Sequence, residues 1–301
     1  MKIAIIGLGK MGYQIVEKLI GDGINVIAFD RDSNAVERAK TVGAIGASSR
    51  EDVISRFEGD DVVIWLMIPS NFVEEEINAW KPIIPRNSIL IDGGNSDYRE
   101  TQKRGADLLN QSIRFVDVGT SGGILGETNG FSMMVGGPED AYNLLLPVFH
   151  SLSQPNGSFN YFGPSGSGHF VKMVHNAIEY GLMESLAEGY HMLKEGPYKQ
   201  IDLGKVAEVW QHGSIVESNL NGLAQQIFVE NPNLDGIEGI VAESGEARWT
   251  LEAAGQLGIK MPVTQAAFDV RINSQNGQIS YATKLLAALR NKFGGHSTNP
   301  Q

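Results

Sequence analysis

The sequence predicts a two-part α/β protein, a doubly wound sheet domain followed by an all-α domain, and three observations carry that reading. A glycine-rich hexad, Gly7-Leu8-Gly9-Lys10-Met11-Gly12, directly follows the first apolar run. Short β-branched apolar runs then alternate with amphipathic stretches through the first half of the chain. Beyond His169 the strand signals stop and helical periods follow one another.

Composition narrows the class. A chain of 301 residues suits two domains, and 42% hydrophobic content can fill their cores. The net charge of -11 argues against a nucleic-acid partner, because phosphate backbones are met by basic patches and none is present. With no cysteine there is no disulfide framework, thiol nucleophile or thiolate metal site, which fits a cytoplasmic setting. The apolar runs are too short to span a bilayer, so no membrane partner is expected. Gly7 and Gly9 interrupt the opening run before it could form the core of a signal peptide, and the mature chain is expected to start near Met1.

The elements follow in order. KIAIIG is a first strand, and the stretch from about Lys10 is the helix it feeds. NVIAFD is a second strand with a helix after it, and DVVIWLMI, SILIDGG and RFVDVG repeat the pattern. Such near-continuous apolar runs suit a parallel sheet covered on both faces. FSMMVGG adds a strand, a helix begins near Pro138, and SFNYFG is the last strand. GPSGSG, residues 163–168, is the boundary, giving a sheet domain over 1–164 and a helical domain over 165–301. Within the latter, Gly196-Pro197, Gly213, Asn231-Pro232 and Met261-Pro262 punctuate the helices.

The hexad is G-x-G-x-x-G between a strand and a helix. Gly7 permits the tight turn, Gly9 lets a pyrophosphate approach the backbone, and Gly12 allows close packing of the helix whose N-terminus favours the anion. Residues Gly7, Leu8, Gly9, Lys10, Met11 and Gly12 are therefore expected to form a Rossmann-type dinucleotide site. Asp30 ends the second strand, where its carboxylate would accept both adenosine ribose hydroxyls and repel a 2′-phosphate. NAD is the expected cofactor and NADP the weaker alternative, since Arg31 beside Asp30 could cradle a 2′-phosphate instead.

The second domain opens on GPSGSGHFVKMVHNAIEYGLMESLAEGYHML, with Ser165 or Ser167 available as N-cap. On a helix, Lys172, His175, Asn176, Glu179 and Tyr180 share an arc of about 140°, while Val171, Val174 and Ile178 lie largely on the other side. Lys172 and Glu179 stand two turns apart and nearly eclipsed, offering two titratable groups for two proton transfers. The histidines give no ligand cluster, so no metal is expected; His150, His169, His191 and His212 read as structural or surface residues.

At these residues the chain resembles the decarboxylating 6-phosphogluconate dehydrogenases, a group within the β-hydroxyacid dehydrogenase family. The resemblance runs through GLGKMG, IDGGNSDY, DVGTSGG, GSGHFVKMVHNAIEYG, SGEARWT and RNKFGGH, nearly the whole chain. Its most specific piece is H-F-V-K-M-V-H-N-x-I-E-Y. The chain lacks the helical duplication of the longer dimeric members and so resembles the short, NAD-preferring form.

The resemblance implies oxidative decarboxylation of 6-phosphogluconate to ribulose 5-phosphate with reduction of NAD, in the pentose phosphate and gluconate routes. It makes Lys172 the base that takes the C3 hydroxyl proton and Glu179 the acid that protonates C1 of the enediol. Asn95, Ser121, Gly122, Gly123, His175, Asn176 and Tyr180 match positions that hold the sugar hydroxyls and carboxylate, with Asn95 also on the cofactor side. Arg271 matches a phosphate-binding arginine. Arg290 and His296 match a tail pair that reaches the neighbouring subunit's site, which implies a homodimer or homotetramer. Two departures stand out. Longer members have a phosphate-binding lysine where this chain reads ESGEAR, and NADP-dependent members have Asn-Arg where it has Asp30-Arg31. A relative acting on a smaller, non-phosphorylated acid such as 3-hydroxyisobutyrate would share DVGTSGG and GSGHFVK; Glu179, Tyr180, Arg290 and His296 favour the sugar phosphate.

Overall fold

The computed structural model describes residues 1–299 and contains two compact units, Met1–Met173 and the residues from Val174 onward. In the first unit β1 (Lys2–Ile6), β2 (Asn25–Phe29), β3 (Ile45–Gly46), β4 (Val63–Leu66), β5 (Ile89–Asp92), β6 (Arg114–Ser121), β7 (Ser132–Gly136) and β8 (Ser158–Gly163) form one eight-stranded sheet in the order β3-β2-β1-β4-β5-β6-β7-β8. Interleaved with them are α1 (Lys10–Gly21), α2 (Ser33–Thr41), α3 (Arg50–Ser55), α4 (Ser70–Trp80), α5 (Tyr98–Asn110), α6 (Gly126–Asn129) and α7 (Glu139–Ser153). The order reverses at β1, which has β2 on one side and β4 on the other. Ligands of open α/β sheets bind at such a switch point.

Alternation along each strand explains the two covered faces. Ile3 and Ile5 belong to one apolar core with Ile15 and Leu19 of α1, whereas Ala4 and Ile6 belong to another with Val73 and Ile77 of α4. The strands from β1 to β6 pair in parallel, as the apolar runs predict, but β7 runs antiparallel to β6. The connection explains the reversal. Between Ser121 and Ser132 the chain holds only a 3-10 turn, Gly123–Leu125, and α6, too short a path for a parallel crossover. The longer α7 connection then lets β8 pair in parallel with β7.

α8 (Ser167–Glu195) begins in the first unit and continues into the second. A strand carboxylate, not one of the two candidate serines, holds its start. Asp117 on β6 accepts the Gly166 N–H at 2.7 Å and the His169 N–H at 2.9 Å, while Ser165 donates its hydroxyl to the Phe115 carbonyl at 2.9 Å. Burial raises the Asp117 pKa; the nearby His169 charge and the two N–H bonds oppose that rise. His169 is itself buried, with Nδ1 2.8 Å from Thr101 Oγ1, a structural role as expected.

The second unit is all helix. α8 stops at Glu195 before Gly196-Pro197, and α9 (Leu203–Trp210), α10 (Asn219–Glu230), α11 (Glu246–Leu257), α12 (Pro262–Gln275) and α13 (Tyr281–Gly294) follow. Pro262 occupies the first turn of α12, where its missing N–H costs nothing. Met183, Tyr190, Phe228, Leu285 and Leu289 build the core, and the Tyr190 hydroxyl is satisfied by Asn221 Oδ1 at 2.6 Å. Among the described residues no helix is long and apolar enough to cross a membrane.

Candidate active site

The glycine hexad sits at the β1 to α1 turn. Gly7 has φ +93°, a left-handed conformation that a side chain would strain, and a Cβ on Gly12 would run into the Gly7 carbonyl oxygen. Gly9, by contrast, has open space where its side chain would stand, and supplies α1 with no side-chain cap. This is the surface an anion at a helix N-terminus needs, so the chain's own backbone fits a dinucleotide pyrophosphate.

Two adjoining cavities meet along Gly9, Met67, Ile68 and Pro69. The first, about 330 Å³, is lined by Gly7, Asp30, Arg31, Phe72 and Glu76 among others. The second, about 310 Å³, brings Asn95 beside Lys10, Met11, Gly12 and Thr120. Ser121, Gly122 and Gly123 lie just past Thr120 at the end of β6, and that loop is tied to α1 by Gln14 Nε2 donating to the Ile124 carbonyl at 2.9 Å. Leu8 is buried and contributes through its backbone.

Asp30 is oriented by the loop it serves: Oδ2 accepts the Leu8 N–H at 2.6 Å and Oδ1 accepts the Asp32 N–H at 2.8 Å. Arg31 faces acid on α4, with Nη2 3.3 Å from Glu75 and 3.8 Å from Glu76. Glu76 is buried and held in a two-pronged pair with Arg50, at 2.8 and 2.6 Å. Sequence reasoning missed Glu75 and Glu76, because residues 44 and 45 positions downstream of Arg31 meet it only through the β1/β4 switch.

Lys172 is buried near the start of α8, 5% exposed. A Cβ on Gly119 of β6 would collide with the Lys172 side chain, so the glycine of DVGTSGG is what lets this lysine lie against the strand. Ile178 and Leu182, from the apolar side of the same helix, are largely exposed.

The second unit gathers the other expected residues. Arg271 on α12 is 2% exposed and stacks on Tyr180, its guanidinium carbon 3.2 Å from the ring centroid. Burial pulls Arg271 down to about 10, with Tyr180 opposing and Arg290 reinforcing the shift, and the group stays a cation at neutral pH. Arg290 on α13 is buried too; burial lowers its pKa while Tyr180, Glu246 and Glu179 raise it. Both arginines thus belong to one chain's cluster around Tyr180, whose hydroxyl accepts the Ser244 N–H at 3.3 Å. Beneath them, burial pushes the Glu184 carboxyl up to about 7, reinforced by Glu188 and opposed by Arg271. On α8, His175 Nδ1 lies 2.9 Å from Asn176 Oδ1 and 3.9 Å from Glu179 Oε2, and Asn176 Nδ2 donates to Glu246 at 3.0 Å. His296 follows the end of α13 and is exposed; its carbonyl accepts from Asn291 Nδ2 at 2.8 Å.

The nucleotide loop, the switch-point cavities and the all-helical second unit define a dinucleotide-binding dehydrogenase fold. Residues 2–163 match the model of the NAD binding domain of 6-phosphogluconate dehydrogenase, and residues 168–299 that of the 6-phosphogluconate dehydrogenase C-terminal domain. The chain belongs to the 6-phosphogluconate dehydrogenase family. It is 37% identical over 298 residues to the NAD(+)-dependent, decarboxylating 6-phosphogluconate dehydrogenase of Haloferax volcanii, covering 98% of each. A solved Plasmodium falciparum 6-phosphogluconate dehydrogenase, studied with NADP+ and with 6-phosphogluconate, superposes with a TM-score of 0.82 at 29% identity over 92% of this chain, which spans 63% of that longer one. A Mycobacterium tuberculosis 3-hydroxyisobutyrate dehydrogenase shares the fold at a TM-score of 0.72 and 19% identity, over 95% of this chain and 98% of its own.

Proposed function

We propose that the chain oxidises and decarboxylates 6-phosphogluconate to ribulose 5-phosphate with NAD as the preferred oxidant. The observation that carries this reading is the buried pair Arg271 and Arg290 around Tyr180, in a chain that is otherwise strongly acidic. Two buried guanidinium groups in one cluster suit a phosphate dianion better than the single carboxylate of a small non-phosphorylated acid.

A dinucleotide whose pyrophosphate is held at the hexad loop would supply the nicotinamide as hydride acceptor. Lys172 takes the C3 hydroxyl proton as C3 becomes a ketone, and returns it to the C3 oxygen as the C1 to C2 bond breaks and carbon dioxide leaves. Glu179 then delivers a proton to the carbon that was C2 of the substrate and becomes C1 of the product. The two groups are seven residues apart on α8, a rise of roughly 10 Å that two long side chains can bridge toward one short carbon segment. His175, Asn176, Asn95 and the Ser121–Gly123 loop orient the hydroxyls and carboxylate.

The preference for NAD rests on Asp30, whose carboxylate is fixed by two N–H groups, and on Glu75 and Glu76, which compensate the charge of Arg31. The Haloferax relative is also NAD(+)-dependent. We further propose a homo-oligomer, dimer or tetramer, in which His296 at the exposed tail reaches a neighbouring subunit. In this reading Arg290, which is buried within its own chain, stays in that chain's cluster and leaves the shared role to His296.

The test is direct. Purified protein should form NADH with 6-phosphogluconate, with a higher kcat/KM for NAD than for NADP and no comparable rate on gluconate or 3-hydroxyisobutyrate. Equal rates on gluconate would remove the phosphate from the reading.

A further inference from the structure

We infer that Glu246 is a positioning residue that sets the tautomer of His175 through Asn176. Glu246 opens α11 and is 2% exposed. One carboxylate oxygen accepts from Asn176 Nδ2 at 3.0 Å; the other is buried with no hydrogen-bond partner among the described residues.

The chain of inference is chemical. A carboxylate has no proton to give, so only the NH2 side of the Asn176 amide can face it. That turns Asn176 Oδ1 toward His175, 2.9 Å from Nδ1. A carbonyl oxygen cannot donate either, so Nδ1 must carry the proton. Glu179 Oε2, 3.9 Å from the same nitrogen, favours a proton there as well. Neutral His175 is left with a lone pair on Nε2, the reverse of the tautomer that imidazole prefers in water, and becomes an acceptor for a hydroxyl. A fixed acceptor beside Glu179 selects a substrate that presents an O–H at that point and disfavours one presenting a carbonyl or ether oxygen.

The tautomer follows from these contacts alone, whereas its kinetic consequence rests on the function proposed above. Imidazole 15N spectra of the ligand-free protein above pH 8 report the tautomer, with the His175 signals assigned by their loss in His175→Gln. The wild type should show protonated Nδ1. Glu246→Ala should shift His175 toward protonated Nε2. Glu246→Gln, nearly isosteric, should give a mixture, because its amide can present either face to Asn176. With 6-phosphogluconate, Glu246→Ala should lose about tenfold in kcat/KM, the factor for one misdirected hydrogen bond, and Glu246→Gln should lie between it and the wild type. A wild-type His175 protonated at Nε2, or a tautomer unmoved in both variants, would overturn the inference. If the tautomer shifts as expected but the wild type does not oxidise 6-phosphogluconate, the relay stands and the substrate reading falls.

Discussion

The nucleotide loop and the arginine cluster solve opposite problems. The loop is built from main chain: Gly7, Gly9 and Gly12 act by having no side chain, and even Asp30 spends its oxygens on the Leu8 and Asp32 N–H groups. The cluster is built from side chains delivered by α8, α11, α12 and α13, with Arg271 stacked on Tyr180 and Arg290 buried as well. A main-chain site is shaped by the fold, and its side chains tune which ligand enters. A side-chain site depends on the individual groups that make it, each of which a single substitution can remove.

The sharpest way to break that contrast is Lys172→Met, which keeps the length of the side chain and removes the base. Turnover should fall by about 10² to 10⁴-fold or more. NAD binding, followed by fluorescence quenching, should survive because the hexad loop is unaltered. Persistent NADH formation by this variant would show that another group takes the C3 proton.

The difference between the regions also explains what the sequence made legible. The hexad is contiguous, and its strand, turn and helix context can be read from periodicity, as can Asp30 at the end of β2. The helix breaks at Gly196-Pro197, Asn231-Pro232 and Pro262 were equally local. The roles of Arg271 and Arg290 came only from resemblance, since no spacing rule links α12 or α13 to Tyr180. Asp117 as the anchor of α8 was hidden because the carboxylate lies about 50 residues before the N–H groups it holds. Glu246 was hidden because one glutamate in ESGEAR looks like any other until its burial is known.

An intermediate effect is expected at the loop, where side chains should alter preference and leave turnover in place. Asp30→Asn replaces an acceptor of the ribose hydroxyls and of one backbone N–H, and NAD should bind roughly 10 to 100-fold more weakly. NADP should gain little from that change alone, because Arg31 remains paired with Glu75 and Glu76. Adding Glu75→Gln should release Arg31 toward a 2′-phosphate, while Glu76 is best left in its buried pair with Arg50. Measured as kcat/KM for NADP over NAD, the double variant should exceed the single one several-fold. Equal ratios would mean that the α4 acids do not hold Arg31 in solution.

The smallest effect tests whether the side-chain region carries a pH dependence of its own. Glu184 is 7% exposed beneath Arg271, and burial lifts its carboxyl from 4.5 to about 7. Over that interval the folded chain holds a proton that the unfolded chain releases. The stabilisation is therefore complete below the unfolded value and is lost as pH rises through the folded one. Between pH 5.5 and 8 the wild type should lose roughly 2 kcal/mol from this source, a few degrees in Tm. Glu184→Gln stays neutral throughout, so its melting temperature should fall less across the same interval and overtake the wild type toward pH 8. The pair must be compared at constant ionic strength, because Arg271 and Glu188 also act on this carboxyl. Parallel Tm curves for the two proteins would show that Glu184 is already ionised in the fold, and that Arg271 outweighs burial at the base of the cluster.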